Sequence, residues 1–179
     1  EILSQTVKDL LSTVRPNGSI SCVPPEKQPD GPGGDLWERK YVLLGLDRYY
    51  DLVEADPAVL RAMTDQADCI IEQVGEPPKV PITSLGWSPN HIESSTLLEP
   101  FMRLYNRTGE KRYLDFARYI VSTGGSEGYD IFRQAYDNVP PHEMGGPYPK
   151  AYEMMSMFEG AVEYYRVTGD EYVRRSFMN

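Results

Sequence analysis

One alternation constrains this chain more than any other: helical stretches are joined in pairs by tight turns, and the pairs are joined by long loops rich in proline and glycine. Apolar residues at three-and-four spacing run from Trp37 to about Leu52, the period of a helix buried on one face. Glu54-Ala55-Asp56-Pro57 then places a capping aspartate before a proline at the first position of a second helix, which reaches about Val74. The grammar recurs as a helix to Tyr105, the turn Asn106-Arg107-Thr108-Gly109-Glu110 and a helix to about Ser122. It recurs again as a helix to Tyr165, the turn Arg166-Val167-Thr168-Gly169-Asp170 and a last helix to Asn179. Hairpins are therefore expected over about 37–74, 91–122 and 150–179, after a lone helix over 2–14. Helical pairs repeating every ~55–60 residues read as an all-α array or toroid, here one partial domain over 1–179.

Finer expectations follow. Pro100 lies deep in the first helix of the second hairpin and should kink it, because it brings no amide hydrogen to the helical ladder. Ser19–Cys22 reads as a short extended piece, and Val23 to Gly34, Gly75 to Asn90 and Thr123 to Pro149 read as loops. Ser88 or Asn90 is the expected cap of the helix that follows.

Charge excludes some functions. Acidic residues number 27 against 18 basic, a formal charge of -9 that repels a phosphate backbone, so no nucleic-acid partner is expected. No apolar stretch approaches the ~18 residues of a membrane span, so no membrane partner is expected either. Cys22 and Cys69 share no metal-ligand or redox spacing and read as free thiols, Cys69 as a buried apolar residue. Tyrosines number 13, against 5 phenylalanines and 2 tryptophans, so most rings here carry a polar tip.

Aligning the hairpins on Tyr50, Tyr105 and Tyr165 puts Glu38, Glu93 and Glu153 in one column. Because only the connections between hairpins are long, those loops should gather at one end of the assembly, where binding surfaces usually lie. Both tryptophans and both histidines fall there. Trp37-Glu38-Arg39-Lys40 offers a ring face for a sugar and polar groups for its hydroxyls; the alternative is that Trp37 packs under the loop and Glu38 complements the helix dipole. Gly86-Trp87-Ser88-Pro89-Asn90-His91-Ile92-Glu93 is the densest polar cluster, in which His91 can donate to a hydroxyl and Glu93 can accept from one. The pair lacks the spacing of a zinc helix. Tyr148-Pro149-Lys150-Ala151-Tyr152-Glu153 opens the third hairpin in like manner, while Met154, Met155 and Met157 read as core. His142-Glu143 reads equally as a loop tip touching substrate or as a solvated turn.

There is no phosphate loop, nucleophile elbow, dinucleotide fingerprint or calcium loop. The clusters, with Leu97-Leu98-Glu99-Pro100, Thr108-Gly109-Glu110-Lys111-Arg112-Tyr113-Leu114 and Lys150-Ala151-Tyr152-Glu153-Met154-Met155, resemble glycoside hydrolase family 127, the β-L-arabinofuranosidase-like group. The resemblance implies an (α/α)6 toroid acting on terminal furanosidic or related plant-glycan sugars. It also implies zinc held by a Glu-x-Cys motif and a Cys-Cys pair, one cysteine serving as nucleophile. This chain contains neither motif, so no catalytic residue, metal ligand or cofactor is assigned to it and it is expected to be inactive alone. Counting hairpins, it is part of a ring whose remainder, or a second copy, would close it. By motif position the resemblance makes Trp37, Glu38, Lys40, Trp87, His91, Glu93, Tyr152 and Glu153 candidates for contact with a carbohydrate. Two other readings stay open: an unsaturated glucuronyl hydrolase or sugar epimerase on a similar toroid, and a non-catalytic helical-repeat scaffold.

Overall fold

The computed structural model describes residues 1–27, 33–146 and 150–179. A lone helix, α1 (Ile2–Leu11), precedes a hairpin of α2 (Leu36–Leu52) and α3 (Pro57–Gln73). The second hairpin has a divided first arm, α4 (Ile92–Ser95) and α5 (Leu98–Thr108), and returns through α6 (Lys111–Ser122). A ribbon of two-residue strands, β1 (Gly125–Ser126) and β2 (Tyr129–Asp130), and the short helix α7 (Ile131–Tyr136) lead to the third hairpin, α8 (Ala151–Thr168) with α9 (Glu171–Met178). The fold is all-α but for that ribbon.

The turns explain why the hairpins close where they do. Gly109 and Gly169 both adopt the left-handed conformation, with φ of 71° and 68°, and donate to the carbonyls of Tyr105 and Tyr165 at 2.8 Å. Thr108 and Thr168 bond back to the carbonyls of Leu104 and Tyr164 at 2.8 Å and accept from the amides of Glu110 and Asp170 at 3.2 Å. Asp170 and, in the first hairpin, Asp56 then cap the returning helices through their carboxylates. Two turns 60 residues apart thus use the same bonds.

Each returning helix packs on its own partner, and α5 also packs against α2 and α8. The first arms α2, α5 and α8 therefore form one layer, as a toroid's inner ring requires, with α3, α6 and α9 outside it. The shared core includes Leu43 and Leu46 of α2, Phe101 and Met102 of α5, Tyr113 and Ala117 of α6, and Met157 and Ala161 of α8. Charge is paired between the arms: Arg107 reaches Asp47 at 2.6 Å and Asp51 at 2.7 Å.

Several expectations change. Helix α1 stops at Leu11, not near Val14, where Ser12 and Thr13 turn their hydroxyls back onto the carbonyls of Asp9 and Leu10. No strand forms over 19–22; Gln66 substitutes for one, its amide accepting from the Ile20 N–H at 2.8 Å and donating to the Ile20 carbonyl at 3.1 Å. The helix carrying Pro100 is broken rather than only bent, at Thr96-Leu97. Thr96 is the residue whose carbonyl the missing Pro100 amide would have bonded. The stretch expected as loop over 123–149 contains the ribbon and α7, whose Ile131, Phe132 and Ala135 are buried. Parts of two expected loops, 28–32 and the Tyr148-Pro149 approach to α8, lie outside the described residues.

Candidate functional site

The N-terminal ends of α2, α4 and α8 meet, and they carry the glutamate column: Glu38, Glu93 and Glu153 each occupy the first turn of their helix. Around them are the aromatic residues. Trp37 meets Tyr41 edge-on with ring centroids 5.1 Å apart, and Tyr152 at 5.7 Å. The Tyr41 and Tyr152 hydroxyls are 2.8 Å apart. On the other side of α8's start, the Lys150 ammonium lies 5.5 Å from the Trp87 ring centroid. Trp87 is 54% exposed and Tyr152 62%, so both rings offer a face at this end of the hairpins.

Lys40 supports this surface from below. It is buried, its ammonium bonded to the Ser156 hydroxyl and 5.4 Å and 5.1 Å from the Trp37 and Tyr41 ring centroids. Burial lowers its pKa, with Glu99 and Glu159 opposing that shift. Burial raises the Tyr41 pKa, helped by the Tyr152 hydroxyl and by the charges of Glu153 and Glu159. Tyr41 therefore keeps its phenolic proton at neutral pH.

Glu93 has another use. It is fully buried, with Oε1 accepting from the amides of Trp87 and Ser88 at 2.6 and 2.7 Å and Oε2 accepting from the Ser88 hydroxyl. A β-carbon on Gly86, whose φ is 149°, would collide with that carboxylate. Glu93 thus holds the loop that presents Trp87, and its oxygens face that loop rather than solvent. Glu153 is also buried, whereas Glu38 is half-buried with one oxygen enclosed and lacking a hydrogen-bond partner among the described residues. Beside Lys40, Arg39 is buried and paired with Asp35 at 2.7 Å.

Neither Ser88 nor Asn90 caps α4. His91 takes the cap position in the left-handed conformation, with φ of 52° and no side-chain cap bond, at a cost of about 1–2 kcal/mol for a residue with a β-carbon. Its Nδ1 lies 3.1 Å from the Thr83 carbonyl and 3.3 Å from Glu127 Oε2. His142 is elsewhere, on an exposed turn beside Glu143. Sequence reasoning missed two residues here. Tyr41 was legible, being one helical turn after Trp37 on the same face; Glu127 arrives through the unforeseen ribbon.

The zinc implied by the resemblance finds no home among these groups. Cys22 is exposed and Cys69 is buried beside Arg39, and among the described residues no three His, Cys, Asp or Glu side chains converge as a metal site. A zinc–thiolate centre needs several such donors together, so the residues present do not fit one.

The chain matches the family described as Beta-L-arabinofuranosidase, GH127 catalytic domain, over residues 3–171. Its fold is similar to that of a solved GH127 β-arabinofuranosidase, BT3674, with a TM-score of 0.56 and 21% identity over 80% of this chain. That match covers 21% of the solved chain, so this chain spans about a fifth of its length. No curated protein matches the sequence. By the family match over nearly its whole length, joined to the layered hairpins described above, the chain belongs to the GH127 β-L-arabinofuranosidase catalytic-domain family.

Proposed function

We propose that the loop end of these hairpins is the sugar-contacting face of a β-L-arabinofuranosidase-like hydrolase acting on terminal sugars of plant-type glycans. The observation that carries this reading is the exposed Trp87 and Tyr152 rings flanking the start of α8, with Trp37 behind them. A sugar's C–H face stacks on such rings while its hydroxyls need polar partners at their edge. On this reading Trp87 and Tyr152 stack, Lys150, His91 and the Tyr41–Tyr152 hydroxyl pair meet hydroxyls, and Glu93 and Lys40 hold the surface in shape.

Hydrolysis needs groups that protonate the leaving oxygen and attack the anomeric carbon. We assign neither to this chain, which on this reading binds and orients and is inactive alone. Zinc enters the reading only as a metal held by residues other than these, and no step here runs through it. The rest of the domain or a second copy would pack on α8, where Met155, Phe158 and Val162 recur at helical spacing along an apolar groove of about 540 Å³.

Trp37 and Trp87 are the two tryptophans, so tryptophan emission tests the reading directly. Titration with β-L-arabinofuranosides should give a saturable change, and Trp87→Ala should weaken binding about tenfold. A chain that is folded by circular dichroism yet shows no saturable response to any furanoside or pyranoside would overturn it.

A further inference from the structure

The ribbon β1–β2 has a use that the loop reading of 123–149 did not foresee. The Glu127 amide donates to the Asn90 carbonyl at 2.9 Å, and the Ser126 hydroxyl donates to the same oxygen at 2.9 Å. Asn90 is fixed in turn: its side-chain amide donates to the Gly145 carbonyl at 3.3 Å, and its side-chain oxygen lies 3.0 Å from the Ser88 hydroxyl oxygen. The tip of the ribbon is thus tied to the residue just before His91, and that tie brings the Glu127 carboxylate to the imidazole.

We propose that Glu127, with the Thr83 carbonyl, is a positioning residue that fixes His91 as its Nδ1–H tautomer and leaves Nε2 as a hydrogen-bond acceptor for a ligand hydroxyl. The chemistry follows from the partners. The Thr83 carbonyl can only accept, so Nδ1, hydrogen-bonded to it at 3.1 Å, carries hydrogen, and the Glu127 carboxylate 3.3 Å from the same nitrogen favours that form electrostatically. In the neutral ring the second nitrogen is then an unprotonated acceptor, as for metal-bound histidines whose far nitrogen is oriented by a carboxylate. His91 keeps some exposure, 23% of its side chain, and no described group bonds Nε2. The ligand class this selects is one bringing a hydroxyl donor. That last step rests on the sugar-binding reading above; the tautomer itself does not.

The two histidines make the test tractable, because His142→Gln leaves His91 as the one imidazole. Nitrogen–proton correlation spectra of the histidine-labelled chain, at a pH where the ring is neutral, should show Nδ1 protonated and Nε2 bare. Glu127→Ala should move the spectrum toward the Nε2–H form that free histidine prefers, and Glu127→Gln, which keeps an acceptor oxygen, should move it back. An Nε2–H ring in the parent chain, or Glu127→Ala indistinguishable from it, would overturn the proposal. With an arabinofuranoside present the Nε2 signal should shift, and Glu127→Ala should weaken binding about fivefold. A locked tautomer whose Nε2 is indifferent to every sugar would leave Glu127's role standing and defeat the sugar-binding reading alone.

Discussion

The two ends of the hairpins are built on opposite principles. At the turn end, Thr108-Gly109-Glu110 and Thr168-Gly169-Asp170 satisfy their own backbone groups within five residues, and the second copy repeats the bonds of the first. At the loop end local bonds are joined by bonds between distant segments. Glu93 holds residues 86–88, Ser126 and Glu127 hold Asn90, Asn90 holds Gly145, and Lys40 of α2 reaches Ser156 of α8. At one end the Thr-Gly turns close within each hairpin, and Arg107 crosses to Asp47 and Asp51; at the other, bonds between distant segments shape the surface. Exposed tryptophan and tyrosine lie at the second, which is where a rigid but costly arrangement has a reason to exist.

The comparison breaks first at Glu93. Glu93→Ala should cost about 3 kcal/mol, because it leaves the Trp87 and Ser88 amides without their buried acceptor. Urea denaturation would read the loss, and Trp87 emission would shift red as its loop loosens. One substitution made at both ends sharpens the contrast. Gly86→Ala drives a methyl into the Glu93 carboxylate and should cost about 2 kcal/mol. Gly109→Ala and Gly169→Ala meet no neighbour within 4 Å, so each should cost only the left-handed backbone term of about 1 kcal/mol. The last two share no neighbour within 4 Å, so their costs should add. If Gly86→Ala costs no more than Gly109→Ala, the account of Glu93 as the loop's anchor fails.

The helices are common to both ends, and burial of their tyrosines gives the smallest effect. Burial pushes the Tyr113 and Tyr172 pKa values up to about 12 from an ordinary 10.0. A raised folded pKa means the folded state holds the proton more tightly, so this contribution is full below pH 10 and is lost as pH rises through about 12. Stability should fall across that window, and Tyr113→Phe should flatten the fall without altering stability at neutral pH by more than the lost hydroxyl contact with Arg112.

What could be read in advance divides along the same line. Helix periods, the Asp56-Pro57 start, the Thr-Gly turns and the disruption at Pro100 are local signals, and each corresponds to a feature within a few residues of its cause. The ribbon and α7 escaped notice because two-residue strands and a six-residue helix are too short to show a period, although Glu127-Gly128 between Ser126 and Tyr129 and the capping Asp130 were visible in the sequence. The site divides likewise. Its aromatic residues and the glutamate column were legible from spacing, but composition cannot tell that Glu93 faces its own loop while Trp87 faces outward. Nor can it tell that His91 is left-handed and leans on a carboxylate 36 residues away, since both depend on segments meeting in space.

The measurement that tests the account most directly is a map of amide and side-chain chemical-shift changes as a β-L-arabinofuranoside is added to the labelled chain. The account predicts changes confined to the loop end, at Trp87, His91, Glu127, Lys150 and Tyr152, with Gly109 and Gly169 at the turn end silent. Saturable changes centred on the turns, or none at the loop end at millimolar sugar, would contradict it.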